Sequence, residues 1–202
     1  MNENLFAELL ESVREGGAIL RDEKEPSRAI ADSALPLPFI LTLQFDATTF
    51  ARLDALRQAH FPPERNFLPA HITLFHALPG DQEVAIRQTL QTISAATPII
   101  PLAFPTVRSL GRGVAITVAS PALLALRQQL ATTWPEWLGA QDRQRFQPHV
   151  TVQNKVTTEA ARQLYEQLAA SWQPVAGRGE GLLLWRYRGG PWEQVMTFPF
   201  QS

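Results

Sequence analysis

The sequence predicts an α+β fold built by duplication. It is bilobal, with mixed or antiparallel sheets around a central cleft and helices on the outer faces. Three observations carry this reading. The order strand–helix–strand–helix runs twice along the chain. Landmark residues recur at a nearly constant offset, Thr42 to Thr117 by 75 and His71 to His149 by 78. The apolar runs are short and β-branched, and they alternate with longer stretches of helical period.

The elements follow in order. Leu5, Leu9, Leu10 and Val13 sit at helical spacing and predict a short helix that Gly16-Gly17 ends. The charged stretch RDEKEPSR then reads as linker, so residues 1–35 form an extension and residues 36–202 the globular part. Its lobes are expected around 36–107 and 108–202, with strand exchange between them allowed. Phe39–Phe45 predicts a strand. Asp46 caps a helix over Ala47–Gln58 that carries Phe50, Leu53 and Leu56 on one face. Ala70–Leu74 is a strand, and Asp81 caps a helix with Val84, Ile86, Leu90 and Ile93 apolar. The second round begins with a strand at Val114–Val118. Ser120-Pro121 then opens a helix, with Ser as cap and Pro in the first turn. His149–Val152 is a strand, and Thr157 or Thr158 opens the last helix. Ile99–Val107, Leu182–Arg188 and Val195–Phe200 complete the sheets, with a turn at Gly189-Gly190-Pro191.

Composition narrows the function. The 202 residues are 45% hydrophobic and 18% charged, which suits a packed interior and excludes a disordered chain. No apolar run is long enough to span a membrane, and the acidic N-terminus lacks the form of a secretory signal, so a cytoplasmic address is expected. The absence of cysteine removes disulfides, thiolate catalysis and Cys-based metal sites. Net charge is −1, with −5 in residues 1–100 and +4 in residues 101–202. Sixteen of the 18 basic residues are Arg, whose fork matches phosphate oxygens. Near-neutrality disfavours a long nucleic-acid grip and fits a small phosphorylated ligand or a nucleic-acid end.

The informative residues are His71-Ile72-Thr73-Leu74 and His149-Val150-Thr151-Val152. Strand side chains alternate, so each run offers an imidazole and a hydroxyl on one face and apolar residues on the other. If the two lobes pack about a twofold, two imidazoles and two hydroxyls meet across a groove. One imidazole can take a proton while the other gives one, and the hydroxyls can donate to phosphate oxygens. This is a phosphodiester site that needs no metal and no cofactor.

The segments HITLFHALPG and PHVTVQNKV resemble the two signatures of the 2H phosphoesterase superfamily, in its bacterial branch of 2′-5′ RNA ligase family proteins. The resemblance covers residues ~38–200. It implies metal-independent chemistry on 2′,3′-cyclic phosphates or 2′-5′ phosphodiesters, on an RNA end or a small cyclic-phosphate nucleotide. It assigns His71 and His149 as the acid–base pair and Thr73 and Thr151 as the phosphate-holding hydroxyls. Relatives often carry an Arg five residues after the second His. Here Asn154 stands there, and Lys155 is expected on the strand face of His149 as the replacement cation.

Other residues are weighed against packing roles. Phe75 and Phe146 flank the motifs and are candidates for stacking on a base. Arg112, between Gly111 and Gly113, is a candidate phosphate contact. Arg143 and Arg145 are candidates for electrostatic steering. His76, at odd spacing from His71, is expected on the opposite strand face in a structural role. His60 is expected at a helix end, and the five Trp residues in packing. Two alternatives stand beside the enzyme: a module that binds a nucleotide or RNA end without cutting it, and a regulator acting through residues 1–35.

Overall fold

The computed structural model describes residues 36–201. The helix and linker expected within residues 1–35 lie outside the described residues. The described chain is α+β, with four α-helices and two antiparallel sheets.

Strands β1 (Phe39–Phe45), β2 (Thr73–Leu78), β3 (Ile100–Phe104), β7 (Val175–Tyr187) and β8 (Trp192–Pro199) form the larger sheet. Its order is β2-β1-β7-β3, and β8 pairs with β7 beyond β3. Strands β4 (Val107–Ser109), β5 (Val114–Thr117) and β6 (His149–Gln153) form the smaller sheet. The C-terminal hairpin therefore returns to the sheet begun by the N-terminal strand. The piece expected between Ile99 and Val107 divides, sending β3 to one sheet and β4 to the other.

Local chemistry explains where the helices start. Helix α1 (Ala47–His60) is capped by Asp46, whose carboxylate accepts from the N–H groups of Thr48 and Thr49. The same carboxylate takes the Thr49 hydroxyl at 2.5 Å and the Arg178 N–H at 2.8 Å, so one residue ties helix start to β7. Helix α3 (Pro121–Thr133) has Ser120 as cap and Pro121 in its first turn. Helix α4 (Thr158–Ser171) is capped by Thr157.

Helix α2 (Glu83–Ala95) departs from expectation, because Asp81 does not cap it. A short 3₁₀ turn, Gly80–Gln82, intervenes instead. Gly80 is pressed against the backbone of Pro36 and Leu37, where an added Cβ would lie 2.3 Å from the Leu37 carbonyl oxygen. The helix begins at Glu83, two residues beyond Asp81.

The core joins both sheets and all four helices. Phe39, Leu41, Leu43, Leu74, Leu182 and Leu184 from the larger sheet are buried, as are Val114, Ile116, Val150 and Val152 from the smaller. Phe50, expected on the buried face of α1, is instead 37% exposed. The internal repeat is also offset from its sequence landmarks. Thr42 faces Thr73, whereas Thr117 faces His149 and Ala115 faces Thr151. Pairing thus makes Ala115, not Thr117, the counterpart of Thr42.

Candidate functional site

The two His-x-Thr runs occupy matching places in the two sheets. His149 and Thr151 lie in β6. His71 stands just ahead of β2, where the Leu43 N–H still reaches the Ile72 carbonyl, and Thr73 opens the strand. Ile72, Leu74, Val150 and Val152 are buried, as alternation demands. Among the described residues, neither the Thr73 nor the Thr151 hydroxyl has a hydrogen-bond partner.

Both imidazoles are locked by the same local device. Nδ1 of His71 lies 2.7 Å from the Pro69 carbonyl, and Nδ1 of His149 lies 2.8 Å from the Gln147 carbonyl. A carbonyl only accepts, so each Nδ1 carries the proton and each Nε2 is left for another partner. Burial pushes the His71 pKa down to about 4 against the stabilising Pro69 bond, and nearby Arg57, His76 and His149 push the same way. Burial likewise lowers His149, helped by Arg108 and His76. The three imidazoles thus lie within electrostatic reach of one another.

Two buried arginines cross between the halves. Arg57 of α1 donates to the Thr151 carbonyl of β6 at 2.9 Å and to the Leu68 carbonyl at 2.8 Å. Arg127 of α3 donates to the Leu74 carbonyl of β2 and to the Asp142 carbonyl, both at 2.6 Å. Each guanidinium also stacks on a phenylalanine, Arg57 on Phe61 at 3.9 Å and Arg127 on Phe75 at 3.8 Å. Burial lowers the Arg57 pKa to about 10, so it remains a cation at neutral pH. The helix of each half thereby holds the histidine strand of the other.

This arrangement corrects several sequence expectations. Phe75 is fully buried between Trp134 and Arg127 and offers no face to a base. Phe146 is half-buried and packs on the same core beside Arg127. Arg112 donates to the Val156 carbonyl, near the end of β6 away from His149. Gly113 is needed there because the Gln153 carbonyl oxygen sits 2.2 Å from the position of an added Cβ. Lys155 does not continue the His149 face. Strand β6 ends at Gln153, and Lys155 has φ +61°, which turns the chain while its carbonyl accepts from Arg65. Arg143 and Arg145 are exposed on the approach to β6, and His60 closes α1 as expected.

An aromatic cavity of about 460 Å³ opens beside His71. Gln44, Phe50, Glu180, Trp185 and Trp192 line it, and the Trp192 ring lies 5.0 Å from the His71 ring. Trp185 donates its indole N–H to the buried Thr42 hydroxyl at 2.8 Å. Composition gave these two tryptophans only a packing role. Arg57 and Arg127 carried a sequence signal that went unread. Arg57 follows Leu53 by one helical turn, and Arg127 follows Leu123 by one, so each interrupts an apolar stripe. No group of three or more His, Asp or Glu among the described residues could hold a metal ion.

A model of the 2′-5′ RNA ligase superfamily matches residues 45–191. The chain belongs to the 2′-5′ RNA ligase superfamily. Several solved structures share its fold. TT0787 of Thermus thermophilus has a TM-score of 0.60 at 16% identity, over 82% of this chain and 99% of that one. LigT of E. coli complexed with 3′-AMP has a TM-score of 0.57 at 18% identity, over 83% and 99%. LigT complexed with NADP+ has a TM-score of 0.53 at 17% identity, again over 83% and 99%. No curated protein matches the sequence. The family match ends before Trp192, so β8, which supplies Trp192 and Gln194 to the cavity, lies beyond it. No described helix is long and apolar enough to cross a membrane.

Proposed function

We propose that this superfamily member is a metal-independent phosphodiesterase that opens 2′,3′-cyclic phosphates on RNA ends or nucleotides. The observation that carries the reading is the pair of His-x-Thr strands, each with its imidazole locked at Nδ1 and its Nε2 left for substrate. Thr73 and Thr151 donate to the two free phosphate oxygens, where negative charge grows in the transition state. His149 takes a proton from water as the oxygen attacks phosphorus. His71 gives a proton to the departing 3′ oxygen, the P–O3′ bond breaks, and a 2′-phosphate remains. With the 5′ hydroxyl of a second RNA end in place of water, the same proton transfers join that oxygen to phosphorus as the P–O3′ bond breaks, which forms a 2′-5′ linkage without ATP.

The aromatic cavity supports a nucleoside occupant. Trp185, Trp192 and Phe50 offer ring faces, while Gln44, Gln194 and Glu180 offer amide and carboxylate groups for base edges. The complexes of E. coli LigT with 3′-AMP and NADP+ agree with a nucleotide in a related fold.

The test is turnover of a 2′,3′-cyclic nucleotide, with EDTA present, by the wild type and by the His71→Ala and His149→Ala variants. Loss of at least ~10²-fold in each variant is expected. Wild-type rates in both variants overturn the reading, and tight nucleotide binding without turnover favours a binding module instead.

A further inference from the structure

A third histidine shares this face. Regular alternation places His76 opposite His71, but β2 is not regular. Leu41 faces Phe75 while Thr42 faces Thr73, so Leu74 is an extra residue against β1. Phe39 faces Leu78, which adds a second irregularity between Phe75 and Leu78. The burial of the strand records the outcome. Leu74 and Phe75 are both buried in succession, and His76 emerges half-exposed like Thr73. Its charge acts on both His71 and His149.

The ring is held by one carboxylate. Asp142 lies 2.8 Å from Nδ1 of His76, and its two oxygens accept the His76 N–H at 3.0 and 3.1 Å and the Ala77 N–H at 3.4 Å. Strand β2 is at the edge of the larger sheet, where N–H groups on its outer side are open to such a partner. The Asp142 side chain is 4% exposed and the His76 side chain 33% exposed. Arg127 holds the Asp142 carbonyl and the Leu74 carbonyl together, which fixes both ends of the contact. A carboxylate only accepts, so Nδ1 carries a proton and Nε2 is the atom left for another partner. Arg57 donates to the Leu68 and Thr151 carbonyls and the Asn66 side chain, and Arg127 to the Leu74 and Asp142 carbonyls, so each guanidinium is tied to the protein's own backbone.

We infer that His76, oriented by Asp142, is a third substrate-contacting imidazole that donates from Nε2 to a free oxygen of the scissile phosphate. In the complex its ring carries both protons, one shared with Asp142 and one with the phosphate. The negative charges of carboxylate and diester then flank a single cation. His76 neither attacks nor protonates the leaving oxygen, and it ends each cycle as it began. The inference rests on the phosphodiesterase reading above.

The decisive variant is H76N. An Asn amide nitrogen takes the place of Nδ1 and keeps the Asp142 contact, while the Nε2 position is lost. H76Q, whose amide nitrogen falls near Nε2, is the rescue variant. H76N is expected to keep the wild-type Tm and lose ~10–100-fold in kcat/KM, the scale of one charge-assisted hydrogen bond, with partial recovery in H76Q. H76N with turnover within twofold of wild type overturns the inference, provided that H71A is inactive. If the wild type itself shows no turnover, the phosphodiesterase reading fails first. Nitrogen-15 NMR of the full chain, titrated with inorganic phosphate, then still reads His76 directly. A change at its Nε2 on saturation supports the contact, and an unmoved Nε2 overturns it even where H76N fails to fold.

Discussion

At the scale of single residues, the site is governed by burial acting on neutral imidazoles. His71 and His149 are pushed below the ordinary 6.5 chiefly by desolvation. Acid–base catalysis by the pair needs one proton between them, so the bell in kcat/KM is expected on the acid side of pH 6.5. An activity optimum at alkaline pH contradicts the assignment. Stability follows with a definite sign. Between pH 6.5 and about 4 the unfolded chain binds a proton at His71 that the folded chain does not. Folding stability therefore falls as pH drops through that window, and H71Q is expected to flatten the fall in urea titrations at pH 7 and pH 5. The threonines make a separate case. T73V and T151V are expected to keep the fold and each lose ~10²–10³-fold in kcat, as for removal of one donor to a developing oxyanion. The four motif residues were legible in the sequence because alternation and repetition both pointed at them. The place of His76 was not, since a register slip set by pairing with β1 is invisible to a count along one strand.

At the scale of elements, caps and cross-ties decide where the motif strands sit. Asp46 closes the start of α1 and also takes the Arg178 N–H from β7. Burial opposes its charge, but the Thr49 hydroxyl and the surrounding N–H groups prevail and hold its carboxyl below the usual range. D46A is expected to cost about 1–2 kcal/mol in chemical denaturation, the upper range for a lost cap. The arginine cross-ties link stability to activity. R57M leaves the Thr151 and Leu68 carbonyls without their donor, and R127M does the same at Leu74 and Asp142. Each is expected to destabilise by ~2–4 kcal/mol and to lower kcat in the molecules that remain folded, measured together by thermal denaturation and turnover. Helix starts at Asp46, Ser120 and Thr157 were readable from cap chemistry alone. Asp81 did not cap its helix because a 3₁₀ turn takes up Gly80–Gln82 and the helix starts only at Glu83.

At the scale of the whole molecule, the duplication was legible as two rounds of the same pattern with strand exchange allowed, and which strands exchange was not. Period and capping describe neighbours along the chain, whereas the choice of sheet for β3, β7 and β8 depends on which edges lie open. The cavity beside His71 exists because of that choice, since Trp185 and Trp192 arrive from β7 and β8. Residues 36–202 are proposed as the catalytic unit and residues 1–35 as a separate extension. A chain lacking residues 1–35 is expected to turn over cyclic phosphate at the full-length rate, and a large loss of kcat contradicts that division.

The return of the last hairpin has a consequence for biosynthesis. Strand β1 leaves the ribosome first among the described strands, yet one of its two edges is filled only by β7, far along the chain. Until Val175–Tyr187 is translated, a row of unpaired peptide groups and much of the apolar face around Leu41 and Leu43 stay open to other nascent chains. A chain cut short before Val175 is therefore expected to leave β1 with one edge unpaired and to associate with other chains through it.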